Sequence, residues 1–163
     1  MNRLTLSILF IPLSLILCAQ TRLPSNLIRS TEGGQIRLAD LALSGKPVVV
    51  VFWATWCNPC LEEFEAIADL YEQWKDEAEF EFIAVSIDDA RSTAKVKSLV
   101  SGKGWPFKVV LDENQDIKRA MNVTEVPFCF IFNKIGVAVY RHSGYTPGDE
   151  LTILKEIKKA GNE

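Results

Sequence analysis

The chain has 163 residues, of which 48% are hydrophobic and 24% are charged. This composition is typical of one soluble globular domain and excludes a disordered or fibrous chain. The 18 Lys and Arg residues against 21 Asp and Glu residues give a formal net charge of -3. Because the chain is mildly acidic and its basic residues do not cluster, no nucleic-acid partner is expected.

The N-terminal residues differ in composition from the rest of the chain. A positively charged start is followed by a nearly apolar run over residues 4–17, which Pro12 interrupts and which ends in small residues. A helix that spans a bilayer needs about 20 apolar residues, more than this run supplies. We therefore predict a secretory signal peptide over residues 1–19 and one globular domain over residues 20–163, with a retained membrane anchor as the alternative.

The segment Leu15-Ile16-Leu17-Cys18 resembles a bacterial lipobox, in which the cysteine becomes the lipidated N-terminus. Leu17 stands where a lipobox usually has a small residue. A lipidated Cys18 would tether the domain to a membrane. With either kind of signal the domain is expected outside the cytoplasm, in the periplasm, where oxidising surroundings let disulfides persist.

The first elements of the domain are a hairpin and a buried strand. Residues 28–38 predict two short strands around Gly33-Gly34, a glycine pair suited to a hairpin turn. A loop or helical turn follows over residues 40–45. The unbroken run Val48–Trp53 is rich in β-branched residues and comes directly after Pro47. It predicts a strand that is buried on both faces of a sheet.

The rest of the chain alternates between helices and strands. Apolar residues at three- and four-residue spacing predict a long helix over residues 59–75. Gly102 and Gly104 are expected to end the next helix. The remaining elements are predicted as strands over 80–87, 107–111, 128–132 and 137–141, and helices over 92–101, 115–121 and 147–159. This alternation indicates an α/β fold, a central mixed β-sheet flanked by helices, with an N-terminal β-hairpin extension.

Two cysteines three residues apart carry the chemistry of this chain. The segment Cys57-Asn58-Pro59-Cys60 lies where the buried strand leads into the long helix. Free N–H groups and the dipole at a helix start stabilise an anion, so a thiolate is favoured at Cys57. Pro59 fits the first helical turn, where no N–H donor is needed. The sequence therefore predicts a redox pair of cysteines at this corner.

A cysteine pair at this spacing has three other uses, of which Leu61 excludes one, the covalent haem site. A zinc site needs two further ligands, and Cys18, Cys129 and His142 form no second pair. A covalent haem site needs His directly after the second cysteine, where this chain has Leu61. A structural disulfide is the third alternative, although so short a ring would stabilise the fold little.

The segment Phe52–Cys60 resembles the active-site segment of thioredoxin-like proteins, and it is most similar to the extracytoplasmic TlpA/ResA branch of thiol-disulfide oxidoreductases. The resemblance covers roughly residues 26–160. Three further segments share it, namely Gly45-Lys46-Pro47, Val126-Pro127 and Asn133–Gly136. It implies a thioredoxin fold in which Pro127 is cis and faces the two cysteines.

Glu63 matches a glutamate of the TlpA/ResA branch that lies near the active site, three residues after the second cysteine. Cys60 and Glu63 share one side of a helix, and the resemblance implies that Glu63 takes the proton when Cys60 becomes the attacking thiol. The alternative is a solvated glutamate beside Glu62 and Glu65. Glu65 stands where the branch usually has a proline, and Val51 stands where thioredoxins have a buried aspartate.

The implied function is thiol-disulfide exchange. The Cys57 thiolate attacks a disulfide of a client protein, Cys60 resolves the mixed disulfide, and a membrane thiol reductase supplies the electrons. No cofactor or metal is expected, and the protein is expected to be a monomer. The residues expected to line the client site are Trp56, Asn58, Pro59, Val126 and Pro127.

Two other functions stay open. A DsbA-type oxidase would run the exchange in the opposite direction, but such proteins carry a large helical insertion, and residues 87–107 leave room for one short helix. A binding module would hold a partner in the same groove without turnover. Cys129 is interpreted as a small buried hydrophobe, with a third redox thiol as the alternative. Trp53 and Trp56 are expected to pack in the active site.

Overall fold

The structure is a computed structural model that describes residues 20–163 of the chain. The predicted signal peptide over residues 1–19, with Cys18, lies outside the described residues. Among residues 20–163, no helix combines the length and the hydropathy that crossing a membrane requires.

Seven strands form one mixed sheet in the described part of the chain. They are β1 Leu27–Ser30, β2 Gln35–Arg37, β3 Val48–Trp53, β4 Glu81–Ser86, β5 Lys108–Leu111, β6 Phe128–Phe132 and β7 Ala138–Ser143. Their order across the sheet is β2-β1-β5-β4-β3-β6-β7. Strands β3, β4 and β5 run parallel to one another, whereas the other neighbouring pairs are antiparallel. The predicted α/β fold with a central mixed sheet is confirmed.

The helices come close to their predicted positions. The α-helices are α1 Asn58–Glu77, α2 Thr93–Lys103, α3 Asp116–Ala120 and α4 Asp149–Ala160, and shorter 3-10 segments lie at Leu38–Ser44 and Ala90–Ser92. The prediction that Gly102 helps to end its helix is wrong, because Gly102 lies inside α2. Gly104 ends that helix in the left-handed region, with a φ of 63°, and its N–H donates to the carbonyl of Val100 at 3.0 Å.

Strand β3 lies at the centre of the core, and all six of its residues are buried. It pairs in parallel with β4 and antiparallel with β6, so that Val48 has Glu81 on one side and Phe132 on the other. A strand with partners at both edges and cover on both faces exposes no side chain to water. For this reason its sequence is a continuous apolar run rather than an alternating one.

Aromatic side chains pack between the end of β3 and the first turns of α1. The ring centroid of Trp53 lies 5.4 Å from that of Phe64 and 5.3 Å from that of Trp105. Phe64 in turn lies 5.2 Å from Phe107. Edge-to-face contacts of this kind are favourable and directional. They hold the start of α1 against the sheet at the point where the two cysteines lie.

The N-terminal hairpin of β1 and β2 extends the sheet at one edge. Its two strands pair around the predicted glycine turn, with Ile28 opposite Ile36. Strand β1 also pairs with β5, with Arg29 opposite Leu111. The local pattern predicts the hairpin itself, whereas its attachment to β5 is a long-range pairing that no local pattern specifies.

Candidate active site

The two cysteines lie where β3 leads into α1. Strand β3 ends at Trp53, and α1 begins at Asn58 with Cys57 as the residue that caps it. The Sγ atom of Cys57 accepts a hydrogen bond from the backbone N–H of Cys60 at 3.3 Å. Pro59 lies in the first turn of the helix. The sulfur of Cys57 therefore lies against the N–H groups that would stabilise a thiolate.

Cys57 and Cys60 form a disulfide, with their Cα atoms 5.3 Å apart. Cys60 is fully buried, whereas Cys57 retains 5% exposure. A partner that approaches the pair from solvent therefore meets Cys57 first. The neighbouring Trp56 is 65% exposed, so it is not packed in the core as Trp53 is. Its indole instead offers an apolar surface beside Cys57.

Pro127 lies at the same end of the sheet. The Val126–Pro127 peptide bond is cis, and the next residue, Phe128, begins β6. Because β6 is antiparallel to β3 with Phe128 opposite Phe52, the residues before β6 lie beyond the end of β3, on the side of the cysteines. Val126 is half-buried and Pro127 is buried.

Glu63 lies in α1 beyond Cys60 and is only 1% exposed. The alternative of a solvated glutamate is therefore wrong. Its Oε2 atom has no hydrogen-bond partner among residues 20–163. Burial first, and then the charges of Asp149 and Glu150 at the start of α4, raise the pKa of Glu63 to about 8. A carboxyl group with a pKa near neutrality can both hold and accept a proton, which suits acid-base chemistry at a thiol.

Cys129 lies in β6 opposite Val51 of β3, and its thiol is buried and outside any disulfide. Burial, and then the charge of Glu63, raise the pKa of the Cys129 thiol well above its ordinary value. Because the thiolate is the reactive form of cysteine, these surroundings favour the interpretation of Cys129 as a small buried hydrophobe.

Asp88 is a buried residue near this corner that the motifs do not single out. Its carboxylate accepts hydrogen bonds from both the backbone N–H and the hydroxyl of Thr55, in the loop before Cys57. A signal for this contact exists in the sequence. Strands β3 and β4 are neighbouring parallel strands, so the polar residues that follow them meet at one edge of the sheet.

The described residues contain no group of three or more His, Cys, Asp or Glu side chains arranged to hold a metal ion. The geometry brings together the Cys57–Cys60 disulfide, an exposed indole at Trp56, a cis-proline at Pro127 and a buried carboxyl group at Glu63.

The chain is similar to known proteins of one family, including proteins named thiol-disulfide oxidoreductases. Residues 19–141 match the AhpC/TSA family. The chain is 34% identical over 116 residues to the thiol-disulfide oxidoreductase ResA of Bacillus subtilis (strain 168), a match that covers 71% of this chain and 62% of that protein. It is 33% identical over 135 residues to the protein of the same name from Bacillus thuringiensis (strain Al Hakam), which covers 82% of this chain and 75% of that one.

A solved structure is also similar along most of its length. The solution structure of an uncharacterized thioredoxin-like protein from Porphyromonas gingivalis matches with a TM-score of 0.74 and 42% sequence identity. The match covers 86% of this chain and 92% of that one.

The fold and its cysteine pair define a thioredoxin-like protein. The chain belongs to the AhpC/TSA family, and its ResA relatives are thiol-disulfide oxidoreductases. The predicted thioredoxin-like family is thus confirmed. The match spans less than two thirds of the Bacillus subtilis relative, 62% of its length.

Proposed function

We propose that this protein reduces disulfide bonds of extracytoplasmic client proteins through a dithiol-disulfide cycle at Cys57 and Cys60. The observation that carries the proposal is the disulfide at the start of α1, in which the Sγ atom of Cys57 accepts a hydrogen bond from the backbone N–H of Cys60. This arrangement stabilises a thiolate at the more accessible cysteine and keeps the second sulfur within bonding distance of the first.

The first step is attack on the client. The Cys57 thiolate attacks one sulfur of the client disulfide, an S–S bond forms between them, and the other client sulfur leaves as a thiolate. Trp56, which precedes Cys57 in the chain, is exposed, and the loop at Val126 and Pro127 lies at the same end of the sheet. Asn58 and Pro59 are exposed at the helix start. These residues would line the groove that holds the client chain.

The second step resolves the mixed disulfide. The Cys60 thiol gives its proton to the Glu63 carboxylate and attacks the Sγ atom of Cys57, and the client sulfur leaves as a thiolate. Two electrons have then passed to the client, and the Cys57–Cys60 disulfide remains. With a pKa of about 8, Glu63 is ionised in only part of the molecules at neutral pH, so this step is expected to become faster as the pH rises towards 8. The protonated Glu63 returns its proton when the disulfide is reduced again.

The cycle requires a reductant, and we assign that role to a membrane thiol reductase. A thiolate of this donor would attack the Cys57 sulfur, and Cys60 would leave and take the proton held by Glu63. A second thiol of the donor would then attack the donor sulfur of the mixed disulfide, which releases Cys57 as a thiolate and leaves the disulfide on the donor. The apolar run at residues 4–17 and Cys18 support export as a signal peptide or a lipid-anchored form. An extracytoplasmic domain needs such a membrane donor, because its surroundings are oxidising.

The connection between β4 and β5 favours a reductase over a DsbA-type oxidase. The described chain crosses from Ser86 to Lys108 through one 3-10 segment and the single helix α2, without a large helical insertion. The reduction potential tests the direction. A value near or below about −270 mV, as in thioredoxin, supports a reductase, whereas a value near about −120 mV, as in DsbA, would reverse the direction.

Exchange with defined disulfides tests the cycle itself. The reduced protein is mixed with oxidised glutathione, and separately with a disulfide-bonded peptide. Cys57→Ser is expected to abolish exchange, whereas Cys60→Ser is expected to stop after the first step and accumulate a mixed disulfide on Cys57, which mass spectrometry detects.

The matched control for these variants is Cys129→Ala, which removes the buried thiol outside the pair and is expected to keep wild-type turnover. Exchange that persists in the Cys57→Ser protein would contradict the proposed cycle. A Cys57→Ser protein that retains affinity for a client, combined with a wild-type protein that shows no turnover, would instead indicate a binding module.

A further inference from the structure

A buried carboxylate holds the loop between β3 and α1. Asp88 follows β4 and is only 4% exposed, and Thr55, in the loop, is 8% exposed. Oδ2 of Asp88 accepts the backbone N–H of Thr55 at 2.9 Å, and Oδ1 accepts the Thr55 hydroxyl at 2.7 Å. Both oxygens of one carboxylate are thus bound to one residue, two positions before Cys57.

The same carboxylate is also bound to the last residue of β4. The hydroxyl of Ser86 donates to Oδ2 of Asp88 at 2.9 Å, and the backbone N–H of Asp88 donates to the Ser86 hydroxyl at 3.2 Å. Ser86 is fully buried. Beside it, the N–H of Ile87 donates to the carbonyl of Trp53 at 2.9 Å. Hydrogen bonds therefore hold both the side chain and the backbone N–H of Asp88, so that this residue links the loop before α1 to the end of β4.

The anchored loop determines where Cys57 meets the helix. From Thr55 the chain makes a tight turn, in which the N–H of Cys57 donates to the carbonyl of Ala54 at 3.1 Å. The stabilisation of a thiolate by helix N–H groups falls off steeply with distance and angle. A displacement of Thr55 would move Cys57 away from the N–H of Cys60, while the rest of α1 stays packed on the sheet.

We propose that Asp88 is a positioning residue, whose carboxylate holds Thr55 and, through it, keeps Cys57 at the start of α1 in the geometry that activates its thiol. This inference rests on the function proposed above. It goes beyond that function because it assigns part of the reactivity of Cys57 to Asp88, which lies outside the cysteine motif, in the connection between β4 and β5.

The test uses the pKa of Cys57 in the reduced protein, obtained from the pH dependence of its alkylation by iodoacetamide and followed by peptide mass. Thr55→Val keeps the shape of the side chain and the charge of Asp88 but removes the hydroxyl that Oδ1 accepts. We expect it to raise the pKa of Cys57 by about half a unit, an acid constant about threefold smaller. Thr55→Ser keeps the hydroxyl and is expected to restore the wild-type value.

Thr31→Val is the matched control, because it makes the same change of side chain at a hydroxyl that donates to the carbonyl of Val109 at 3.2 Å, outside the loop between β3 and α1. Its effect on the pKa of Cys57 is expected to be smaller than that of Thr55→Val, even where both variants lose similar thermal stability. Equal shifts in the two variants, or no shift in folded Thr55→Val protein, would overturn the inference and leave a purely structural contact.

Failure of the proposed function would give a different result. In that case the wild-type Cys57–Cys60 pair itself would not exchange with glutathione, whatever the pKa values of the variants. A wild-type protein that exchanges, with variants whose Cys57 titrates unchanged, would reject only the role of Asp88.

Discussion

The two ends of α1 carry the same residue type in opposite surroundings. Near the start of the helix, Glu63 is buried and its Oε2 atom has no partner among residues 20–163. Near the end, Glu77 lies at the surface and accepts hydrogen bonds from Gln73 and Lys158. Burial raises the pKa of Glu63 to about 8, whereas the hydrogen bonds from Lys158 and Gln73 lower the pKa of Glu77.

The two glutamates of α1 therefore differ in what their surroundings do to the charged form: burial disfavours it at Glu63, whereas hydrogen bonds favour it at Glu77. A buried carboxyl oxygen without a hydrogen-bond partner lowers the free energy of unfolding, and this cost supports the proposed role of Glu63 in proton transfer, three residues after Cys60. Glu77 makes the ordinary contacts of a surface carboxylate, which are screened by water and contribute little. The same substitution at the two positions is therefore expected to have very different effects.

The largest expected effect of Glu63→Gln is on the pH dependence of stability in the oxidised protein. The unfolded chain releases the Glu63 proton near pH 4.5, whereas the folded protein keeps it up to about pH 8. Between these values unfolding releases a proton, so the free energy of unfolding falls as the pH rises, by up to about 1.4 kcal/mol per pH unit. Glu63→Gln removes this contribution, and urea unfolding across the range measures the difference from wild type.

Glu77→Gln is the control for that measurement, on the same helix and with the same change of atoms. Glu77, with its lowered pKa, is ionised in the folded protein throughout this pH range, so the variant is expected to keep the wild-type slope. A slope that persists in the Glu63→Gln protein, or disappears in the Glu77→Gln protein, would show that Glu63 is not the titrating group.

The next effect is on the rate of the resolving step. Glu63→Gln leaves the Cys60 thiol without its proton acceptor, and we expect resolution of the mixed disulfide to slow by about 10²-fold, the lower end of typical acid-base contributions. Rapid mixing of the reduced protein with a disulfide-bonded peptide, followed by acid quench and mass analysis, measures how long the mixed disulfide persists. Wild-type persistence in the Glu63→Gln protein would exclude Glu63 from the proton transfer.

Features of this site that depend only on residues close together in the sequence could be predicted from the sequence. The apolar run of β3, the helix start at Cys57 and the spacing of Cys57 and Cys60 each involve residues a few positions apart, and the structure contains all three. A buried strand followed by a capped helix is a local pattern, since it follows from residue types in order.

The remaining features depend on contacts between distant segments. In sequence Glu63 resembles its neighbours Glu62 and Glu65, yet in the assembled fold it is buried and the charges of Asp149 and Glu150 in α4 act on it. Trp56 has the same type of side chain as the buried Trp53, yet it lies in the turn outside β3 and is 65% exposed. Burial of a single side chain is a property of the assembled fold, and a local pattern does not specify it.

The smallest expected effect comes from Asp149 of α4, whose charge acts on Glu63 but not on Glu77. The charge of Asp149 is the second cause that raises the pKa of Glu63, after burial. The rate of the resolving step is expected to rise with pH as Glu63 loses its proton. Asp149→Asn removes the charge of Asp149 and is expected to move this rise in the pH-rate profile to lower pH, by less than about one unit because burial remains. Asp69→Asn, a change at an exposed position of α1, is the matched control and is expected to leave the profile in place. An unchanged profile in the Asp149→Asn protein would mean that burial alone determines the proton affinity of Glu63.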